Sequence, residues 1–183
     1  MYSWEVSMTL LLAKQIYDTA HLNGTFTLRS GQVSSEYFDK YLFEADPDVL
    51  RMIAKQLEPL IPSGIEVLAG LEMGGIPVVT ALSLQSGVPA AFVRKKAKEY
   101  GTCKLAEGAN IAGKRVCVVE DVITTGGQVI ISTQELREAG AIVEDVICVI
   151  ERNPDGRRKL EEIGVRVHAL FTMEQLLNAR REG

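Results

Sequence analysis

From Asp46 onwards, short apolar runs of strand length alternate with segments of helical periodicity. The segment DPDVLRMIAKQLEPLI opens with Asp46, a favourable N-cap residue, followed by Pro47, which suits the first turn of a helix. The apolar runs IEVLAGLE, KRVCVVEDV and AIVEDVICVIERN are hydrophobic on both faces, as strands covered on both sides are. This alternation predicts an α/β fold with a Rossmann-like parallel sheet flanked by helices and joined by right-handed crossovers.

The first part of the chain does not share this alternation. Apolar residues at helical spacing predict a helix over Ser7–Thr19. The following stretch, NGTFTLRSGQVSSEYFDKYLF, is typical of short strands with turns at Asn23–Gly24 and Ser30–Gly31. We therefore expect a single domain in which an N-terminal extension (1–45) packs over one end of an α/β core (46–183).

Length and charge exclude several classes of protein. A chain of 183 residues is long enough for one domain with a core of its own. The net charge of -4 argues against a nucleic-acid partner, which usually requires a basic surface. The N-terminus has no basic leader, and its apolar run TLLLA is too short to cross a bilayer. We expect a cytoplasmic protein without a membrane partner.

The cysteines and histidines carry no evident chemistry. The three cysteines are an odd number and lie far apart in sequence, which favours neither a disulfide framework nor a zinc site. Cys117 and Cys148 lie in apolar runs, so we expect buried thiols, whereas Cys103 does not lie in such a run. We interpret His21 and His168 as structural residues.

The stretch VCVVEDVITTGGQVI has an ending that a purely structural strand does not need. Val116–Val119 is typical of a strand, and Glu120 and Asp121 lie at its carboxyl end, where ligands of parallel sheets bind. The loop Thr124–Gly127 then leads into a helix that begins at Gln128. Unpaired N–H groups of a glycine-rich loop at a helix N-terminus bind phosphate, and carboxylates accept hydrogen bonds from sugar hydroxyls. The pattern therefore predicts a site for a phosphorylated ribose.

Two other phosphate-binding patterns do not fit. The chain contains no GxGxxG sequence. The stretch GANIAGKR (Gly108–Arg115) matches the first part of a P-loop, but Arg115 stands where Ser or Thr would hold magnesium, and a strand follows instead of a helix. We interpret this stretch as a turn.

The segment Val116–Gln128 resembles the signature of the type I phosphoribosyltransferases, which bind 5-phosphoribosyl 1-diphosphate. Three further segments resemble orotate phosphoribosyltransferases: FTLRSGQVSSEYFD, the pyrophosphate loop AGLEMGGIPVVTALS and the lysine-rich loop VRKKAKEYGTCKLAEG. VIERN is similar to the strand that ends in the base-binding arginine of that family. The resemblance runs from about Leu22 to Phe171, in the order of the family.

This resemblance implies transfer of a phosphoribosyl group to N1 of orotate, which gives orotidine 5′-monophosphate and diphosphate, a step of pyrimidine biosynthesis. It also implies Mg²⁺ held mainly by the substrate diphosphate without direct protein ligands, an N-terminal hood over the substrates, and a homodimer in which loop residues act across the interface. The transition state would resemble an oxocarbenium ion. The catalysis implied is positioning and electrostatic stabilisation, with no covalent nucleophile.

The resemblance also implies a role for individual residues. The catalytic residues implied are Lys98, Glu120 and Asp121. Contacts to 5-phosphoribosyl 1-diphosphate fall on Arg29, Gly74, Arg94, Lys95, Lys98, Glu120, Asp121, Val122, Ile123, Thr124, Thr125, Gly126, Gly127 and Gln128. Orotate contacts fall on Tyr37, Phe38, Thr124 and Arg152, with the Arg152 guanidinium suited to bidentate binding of the orotate carboxylate.

Some of these residues have simpler structural explanations, and some positions depart from the family pattern. The lysine-rich run could be a solvated face, and Arg152 could pair with Glu151 or Asp155. Tyr100 stands where many family members have histidine, Met73–Gly74 replaces an aromatic–lysine pair, and Gln128 replaces a small residue. The remaining alternatives are a purine-base phosphoribosyltransferase and a regulator of the same fold that senses ligand without catalysis.

Overall fold

The computed structural model describes residues 2–27, 31–95 and 105–181. The helices are α1 (Tyr2–Ala20), α2 (Lys40–Ala45), α3 (Pro47–Leu57), α4 (Gly75–Ser86), α5 (Gly127–Glu138), α6 (Pro154–Glu162) and α7 (Met173–Arg181), with a 3₁₀ turn at Glu58–Leu60. The strands are β1 (His21–Thr27), β2 (Val33–Phe38), β3 (Val67–Leu71), β4 (Ala90–Val93), β5 (Ala106–Gly108), β6 (Arg115–Ile123), β7 (Ile142–Glu151) and β8 (Arg166–Thr172).

Six strands form one twisted sheet in the order β5-β4-β3-β6-β7-β8. All neighbours pair in parallel except the short edge strand β5, which is antiparallel to β4. The chain moves outward from β3 to β4 on one side and from β6 to β8 on the other. The order therefore reverses between β3 and β6, and such a switch point is where open α/β sheets bind ligands.

Helices cover both faces of this sheet, which confirms the predicted fold class. On one face, α1, α3, α4 and α7 pack on inward residues such as Leu68, Val119 and Ile147. On the other face, α5 and α6 pack on Val118 and Cys148. Two apolar layers with a sheet between them explain why the central strands are hydrophobic on both sides. No helix among the described residues is long and apolar enough to span a membrane.

The N-terminal part differs from expectation in two places. Helix α1 extends beyond the predicted Ser7–Thr19, and the predicted turn at Asn23–Gly24 is instead an irregularity within β1, where pairing with β2 shifts between Asn23 and Phe26. The end of the stretch predicted as short strands instead begins the helix α2. Its N-cap is Asp39, whose side chain accepts a hydrogen bond from the Tyr41 N–H at 3.1 Å. This cap outweighs the aromatic residues that suggested a strand.

Other boundaries agree with the prediction. Helix α3 begins as expected, with the Asp46 side chain accepting hydrogen bonds from the N–H groups of Asp48 and Val49, and Pro47 in the first turn. The stretch Gly108–Arg115 is a turn between β5 and β6.

Candidate active site

Strand β6 carries the two acids to the switch point of the sheet. The predicted end at Val119 is wrong, because β6 continues to Ile123, where pairing with β7 persists after pairing with β3 stops at the Val119–Gly70 pair. Glu120 and Asp121 therefore belong to the strand itself, in the part where β6 has parted from β3. Both acids thus lie at the switch point of the sheet, Glu120 half-buried and Asp121 fully buried.

A glycine-rich turn joins β6 to α5. Gly126 is the N-cap residue, with φ of 74°, and no side chain caps the helix. A Cβ on Gly126 would lie 3.0 Å from the Gly156 carbonyl oxygen, so both conformation and space favour glycine here. Thr124, Thr125, Gly127 and Gln128 are exposed around this turn. The uncapped helix N-terminus is available to an anion.

The Asp121 carboxyl is fully buried and held from two sides. Its Oδ1 accepts a hydrogen bond from the Val122 N–H at 2.6 Å, and its Oδ2 lies 2.5 Å from Lys40 Nζ. Burial alone would raise the pKa of Asp121, but hydrogen bonds with Glu120 and Glu44 and the charge of Lys40 lower it below the ordinary value. Asp121 is therefore the ionised member of the cluster.

Two neighbouring carboxyls are driven towards the neutral form. Burial, a hydrogen bond with Asp121 and its negative charge raise the pKa of Glu44 to about 9. Burial and the Asp121 charge likewise raise the pKa of Glu120 well above its ordinary value. Both oxygens of Glu44 are buried without a donor among the described residues, so a proton on Glu44 supplies the donor that the contact with Asp121 requires.

We expect Glu44→Gln to stabilise the fold increasingly as pH rises. The Glu44 carboxyl keeps its proton in the folded state to about pH 9, whereas the unfolded chain loses it near the ordinary value of 4.5. Stability from this group is thus complete below the unfolded pKa and is lost as pH rises through the folded pKa. Glutamine does not titrate, so the variant should gain about 1–3 kcal/mol relative to wild type by pH 8.5 and little at pH 5.

Urea unfolding at several pH values measures this difference. Glu138→Gln, at an exposed position of α5, is the matched control and should follow the wild-type curve. Parallel pH curves for wild type and Glu44→Gln would contradict a neutral Glu44.

The loop after β3 faces the acids of β6. Gly74 admits no side chain, because a Cβ there would lie 1.6 Å from Asp121 Oδ2. In the same loop, Glu72 Oε1 accepts a hydrogen bond from the Lys95 N–H at 2.6 Å, which ties the loop to the start of the lysine-rich segment. Arg94 lies 3.9 Å from Glu107 through its Nε. Gly74 thus lies against Asp121, and the backbone of Lys95 is bound to the same loop.

Two predicted site residues, Arg29 and Lys98, lie outside the described part of the chain, as do Lys96, Tyr100 and Lys104 of the lysine-rich loop. Their assignments remain predictions from the sequence. Gln128, one of the departures from the family pattern, donates from Nε2 to Ser132 Oγ at 3.2 Å along its own helix.

A cavity of about 330 Å³ brings together three residues predicted to contact the base, Tyr37, Phe38 and Arg152. The Tyr37 ring stacks on Phe26 with centroids 5.4 Å apart. The remaining lining residues are Tyr17, His21, Ser34, Glu36, Met173 and Leu177. Thr124, the fourth predicted base contact, does not line this cavity. The cavity combines aromatic walls with one guanidinium.

Arg152 is not engaged by the acids beside it in sequence. Glu151 instead binds Arg157 through two hydrogen bonds of 2.9 and 2.6 Å, and Asp155 lies 3.5 Å from Arg158. Among the described residues, Arg152 forms no ion pair. The charge of Arg152 is therefore available to an anion in the cavity.

The histidines and cysteines are placed as follows. His168 Nε2 lies 2.8 Å from Asp145 Oδ1, near the start of β7 and away from the switch point. His21 stacks on Tyr17 and also lines the base cavity. Cys117 and Cys148 are free thiols in the core, as predicted. Cys103 lies outside the described residues.

Sequence reasoning missed Lys40 and Glu44. Both lie on α2, whose assignment as a strand concealed that they are one helical turn apart. The i, i+4 spacing of a cation and an acid was the available signal. This spacing does not predict the contact of Lys40 and Glu44 with Asp121, because that contact depends on how α2 docks against β6.

Comparison with known proteins finds similar sequences and a similar fold. Residues 44–170 match the model of the phosphoribosyl transferase domain family. The chain is 51% identical to an orotate phosphoribosyltransferase of Nocardioides sp. over 97% of its own length and 99% of that protein. A second such relative, from Methanocella arvoryzae, is 46% identical over 84% of this chain and 88% of that protein. The fold is similar to the crystal structure of Mycobacterium tuberculosis orotate phosphoribosyltransferase in complex with 5-phospho-α-D-ribosyl 1-diphosphate, with a TM-score of 0.80, 26% identity and coverage of 92% and 98% of the two chains.

Proposed function

The chain belongs to the orotate phosphoribosyltransferase family, and we propose that its switch-point cleft transfers the phosphoribosyl group of 5-phosphoribosyl 1-diphosphate to N1 of orotate. The C1–O bond to diphosphate breaks as the bond from C1 to N1 of the base forms. Diphosphate leaves with the electron pair of the C1–O bond, and the proton of N1 is released to water or to the diphosphate. The products are orotidine 5′-monophosphate and diphosphate. The reaction is a step of pyrimidine nucleotide synthesis.

The residues support this reaction by position and charge. The uncapped N-terminus of α5 and the Thr124–Gly127 loop suit the 5′-phosphate. The proposal assigns the ribose hydroxyls to Glu120 and Asp121, and the negative charge of Asp121 would stabilise positive charge as it develops on the sugar. Arg94, Lys95 and, by resemblance, Lys98 are the cations proposed to stabilise the departing diphosphate.

The observation that favours orotate over a purine is Arg152. This guanidinium lines the cavity with Tyr37 and Phe38 and forms no ion pair among the described residues. An unpaired guanidinium on a cavity wall suits an anionic ligand, and orotate supplies a carboxylate where a purine has none. Incubating the protein with orotate, 5-phosphoribosyl 1-diphosphate and magnesium should therefore release orotidine 5′-monophosphate and diphosphate in equal amounts. Binding of the sugar diphosphate without turnover would support the sensing alternative instead.

We expect magnesium to act with the substrate. Among the described residues, no group of three or more His, Cys, Asp or Glu side chains is arranged to hold a metal. Diphosphate oxygens are preferred ligands of Mg²⁺, which binds to proteins through few carboxylates and keeps several waters. The ion would neutralise charge on the leaving group.

Activity should fall by more than about tenfold in excess EDTA and return when Mg²⁺ is added in excess of the chelator. Calorimetry should detect Mg²⁺ binding with 5-phosphoribosyl 1-diphosphate present and little without it. Tight binding of Mg²⁺ to the protein alone would contradict a substrate-held ion. Ca²⁺ at equal concentration provides the control for a non-specific charge effect.

We also propose a homodimer whose lysine-rich loops act across the interface, as the resemblance implies. Lys98→Ala and Asp121→Asn should each be nearly inactive, because one lacks the loop cation and the other the ribose acid. In an equal mixture of the two variants, a mixed dimer contains one site with both residues intact. Activity should then recover to about a quarter of wild type after subunit exchange.

The mixture of Lys98→Ala with Lys98→Ala/Asp121→Asn is the control and should stay inactive, because no site regains Lys98. Absence of recovery in the first mixture, with dimers present by light scattering, would mean that each loop acts within its own subunit.

A cytoplasmic location is part of the same proposal. The two buried free thiols are compatible with a reducing compartment.

A further inference from the structure

Lys40 and Glu44 both approach Asp121 from helix α2. Lys40 Nζ lies 2.5 Å from Asp121 Oδ2. A Cβ on Gly74 would meet Asp121 Oδ2 at 1.6 Å and Glu44 Oε1 at 2.9 Å, so the two carboxyl groups converge on one point beside the glycine. Helix α2 thus joins the N-terminal part of the chain to the acid of β6.

Neighbours in β6 also hold the Asp121 carboxyl, through hydrogen bonds with Glu120 and with the Val122 N–H. Lys40 and Glu44 add a cation and a further carboxyl from α2. The carboxyl is fully buried, and its Oδ1 is taken by the Val122 N–H at 2.6 Å. Glu44 is 6% exposed and Lys40 is partly exposed, so the contact is largely shielded from water. A buried carboxylate without a cation or donor is costly, and it would turn or take up a proton.

We propose that Lys40 and Glu44 are positioning residues of the phosphoribosyl site, which keep the Asp121 carboxylate ionised and fixed, Lys40 by an ion pair and Glu44 as a neutral carboxyl that donates a hydrogen bond. The inference rests on the proposed function, in which Asp121 contacts the ribose. A carboxylate fixed in advance stabilises the cationic sugar without reorganising during the reaction. Neither residue needs to touch the substrate.

Lys40→Met removes the charge and keeps the apolar stem. It should lower kcat/KM for 5-phosphoribosyl 1-diphosphate by about tenfold to a hundredfold, because an unpaired buried carboxylate remains. The KM for orotate should change by less than about twofold, because Arg152 is untouched. Lys55→Met, at an exposed position of α3, is the matched control and should behave as wild type.

A double-mutant cycle separates positioning from general stability. In an Asp121→Asn background, Lys40→Met should lower kcat/KM by less than about threefold, because the residue through which Lys40 acts has already lost its charge. If Lys40 only supported the fold, the two losses would multiply. Multiplying losses, or wild-type kinetics of folded Lys40→Met, would overturn the proposal.

Glu44 is tested by two substitutions of similar size. Glu44→Gln keeps a donor and should stay within about threefold of wild-type kcat/KM at neutral pH, whereas Glu44→Leu should lose about tenfold. Equal kinetics in these two variants would contradict the role of Glu44. Circular dichroism and the melting temperature establish that each variant is folded, and Lys40→Gln replaces Lys40→Met if the latter fails to fold.

Failure of the proposed function gives a different result. If wild type does not convert orotate, that function is wrong, but calorimetry can still measure 5-phosphoribosyl 1-diphosphate binding in the same set of variants. Weaker binding in Lys40→Met and Glu44→Leu, with wild-type binding in Lys55→Met, would retain the positioning role. Equal binding of 5-phosphoribosyl 1-diphosphate by wild type and all of these variants would rule out the positioning role.

Discussion

Replacing Arg152 with alanine is expected to lower kcat/KM for orotate by about two to three orders of magnitude. The guanidinium is the cation available to a carboxylate in the cavity that it shares with Tyr37 and Phe38. Without the Arg152 guanidinium, the orotate carboxylate would be desolvated in the cavity and would gain no charged partner there. Arg152→Lys should recover only part of the loss, because an ammonium cannot bind both carboxylate oxygens in one plane. Initial rates with varied orotate measure the effect.

The same variant should leave the sugar-diphosphate site intact. The KM for 5-phosphoribosyl 1-diphosphate should remain within about threefold of wild type, since Arg152 lies after β7 and the phosphate loop after β6. Arg158→Ala is the matched control, because Arg158 is an exposed arginine of α6 that pairs with Asp155 and Glu162. An Arg152→Ala enzyme with an unchanged orotate KM would show that the base lies elsewhere.

Gly74→Ala is expected to lower kcat by about a hundredfold or more, which makes it the second large effect. A Cβ at this position would lie 1.6 Å from Asp121 Oδ2, a distance at which one of the two must move. The backbone of Gly74 is helical, with φ of -69°, so an alanine is not strained there by its conformation. The damage is therefore steric and acts on the orientation of the acid. Steady-state kinetics with both substrates saturating isolate kcat.

Gly164→Ala is a control for glycine replacement as such. Gly164 follows α6 and has φ of 75°, and a Cβ added there would have no neighbouring atom within 4 Å, so alanine costs stability without a clash. It should lower the free energy of unfolding by about 1 kcal/mol and leave kcat unchanged. If Gly74→Ala reproduced that pattern, with normal kcat, the contact with Asp121 would have no part in catalysis.

The sequence predicted those features that depend on local pattern. Apolar runs and helical periodicity identified the elements of the core, and the turn chemistry of Thr124–Gly127 predicted the tight turn that leads into α5. The end of β6 was predicted too early, because the change from apolar residues to two adjacent acids suggested that the strand ended there. Pairing with β7, of Glu120 with Cys148, Val122 with Ile150 and Ile123 with Glu151, keeps the backbone extended there, and this pairing lies between segments remote in sequence.

The ionisation states of Glu120 and Asp121 could not be predicted from the sequence either. Glu120 and Asp121 are adjacent and were given the same role, but Asp121 faces Lys40 and retains its charge, whereas burial and the Asp121 charge raise the pKa of Glu120 and favour its neutral form. These differences in pKa arise because α2 docks against β6. The two elements are remote in sequence, so no local sequence pattern predicts their contact. The family resemblance indicated the candidate site, and the packing distinguishes the ionisation of its two adjacent acids.

The most direct test of the proposed function is the ratio of kcat/KM for orotate to that for adenine, hypoxanthine and uracil, measured on one preparation with 5-phosphoribosyl 1-diphosphate and magnesium. We expect orotate to be preferred over each other base by at least about three orders of magnitude, and the preference to fall sharply in Arg152→Ala. Uracil is the informative comparison, because it has the same ring as orotate without the carboxylate. A purine used as efficiently as orotate, or uracil used equally well, would contradict recognition of a carboxylate by Arg152.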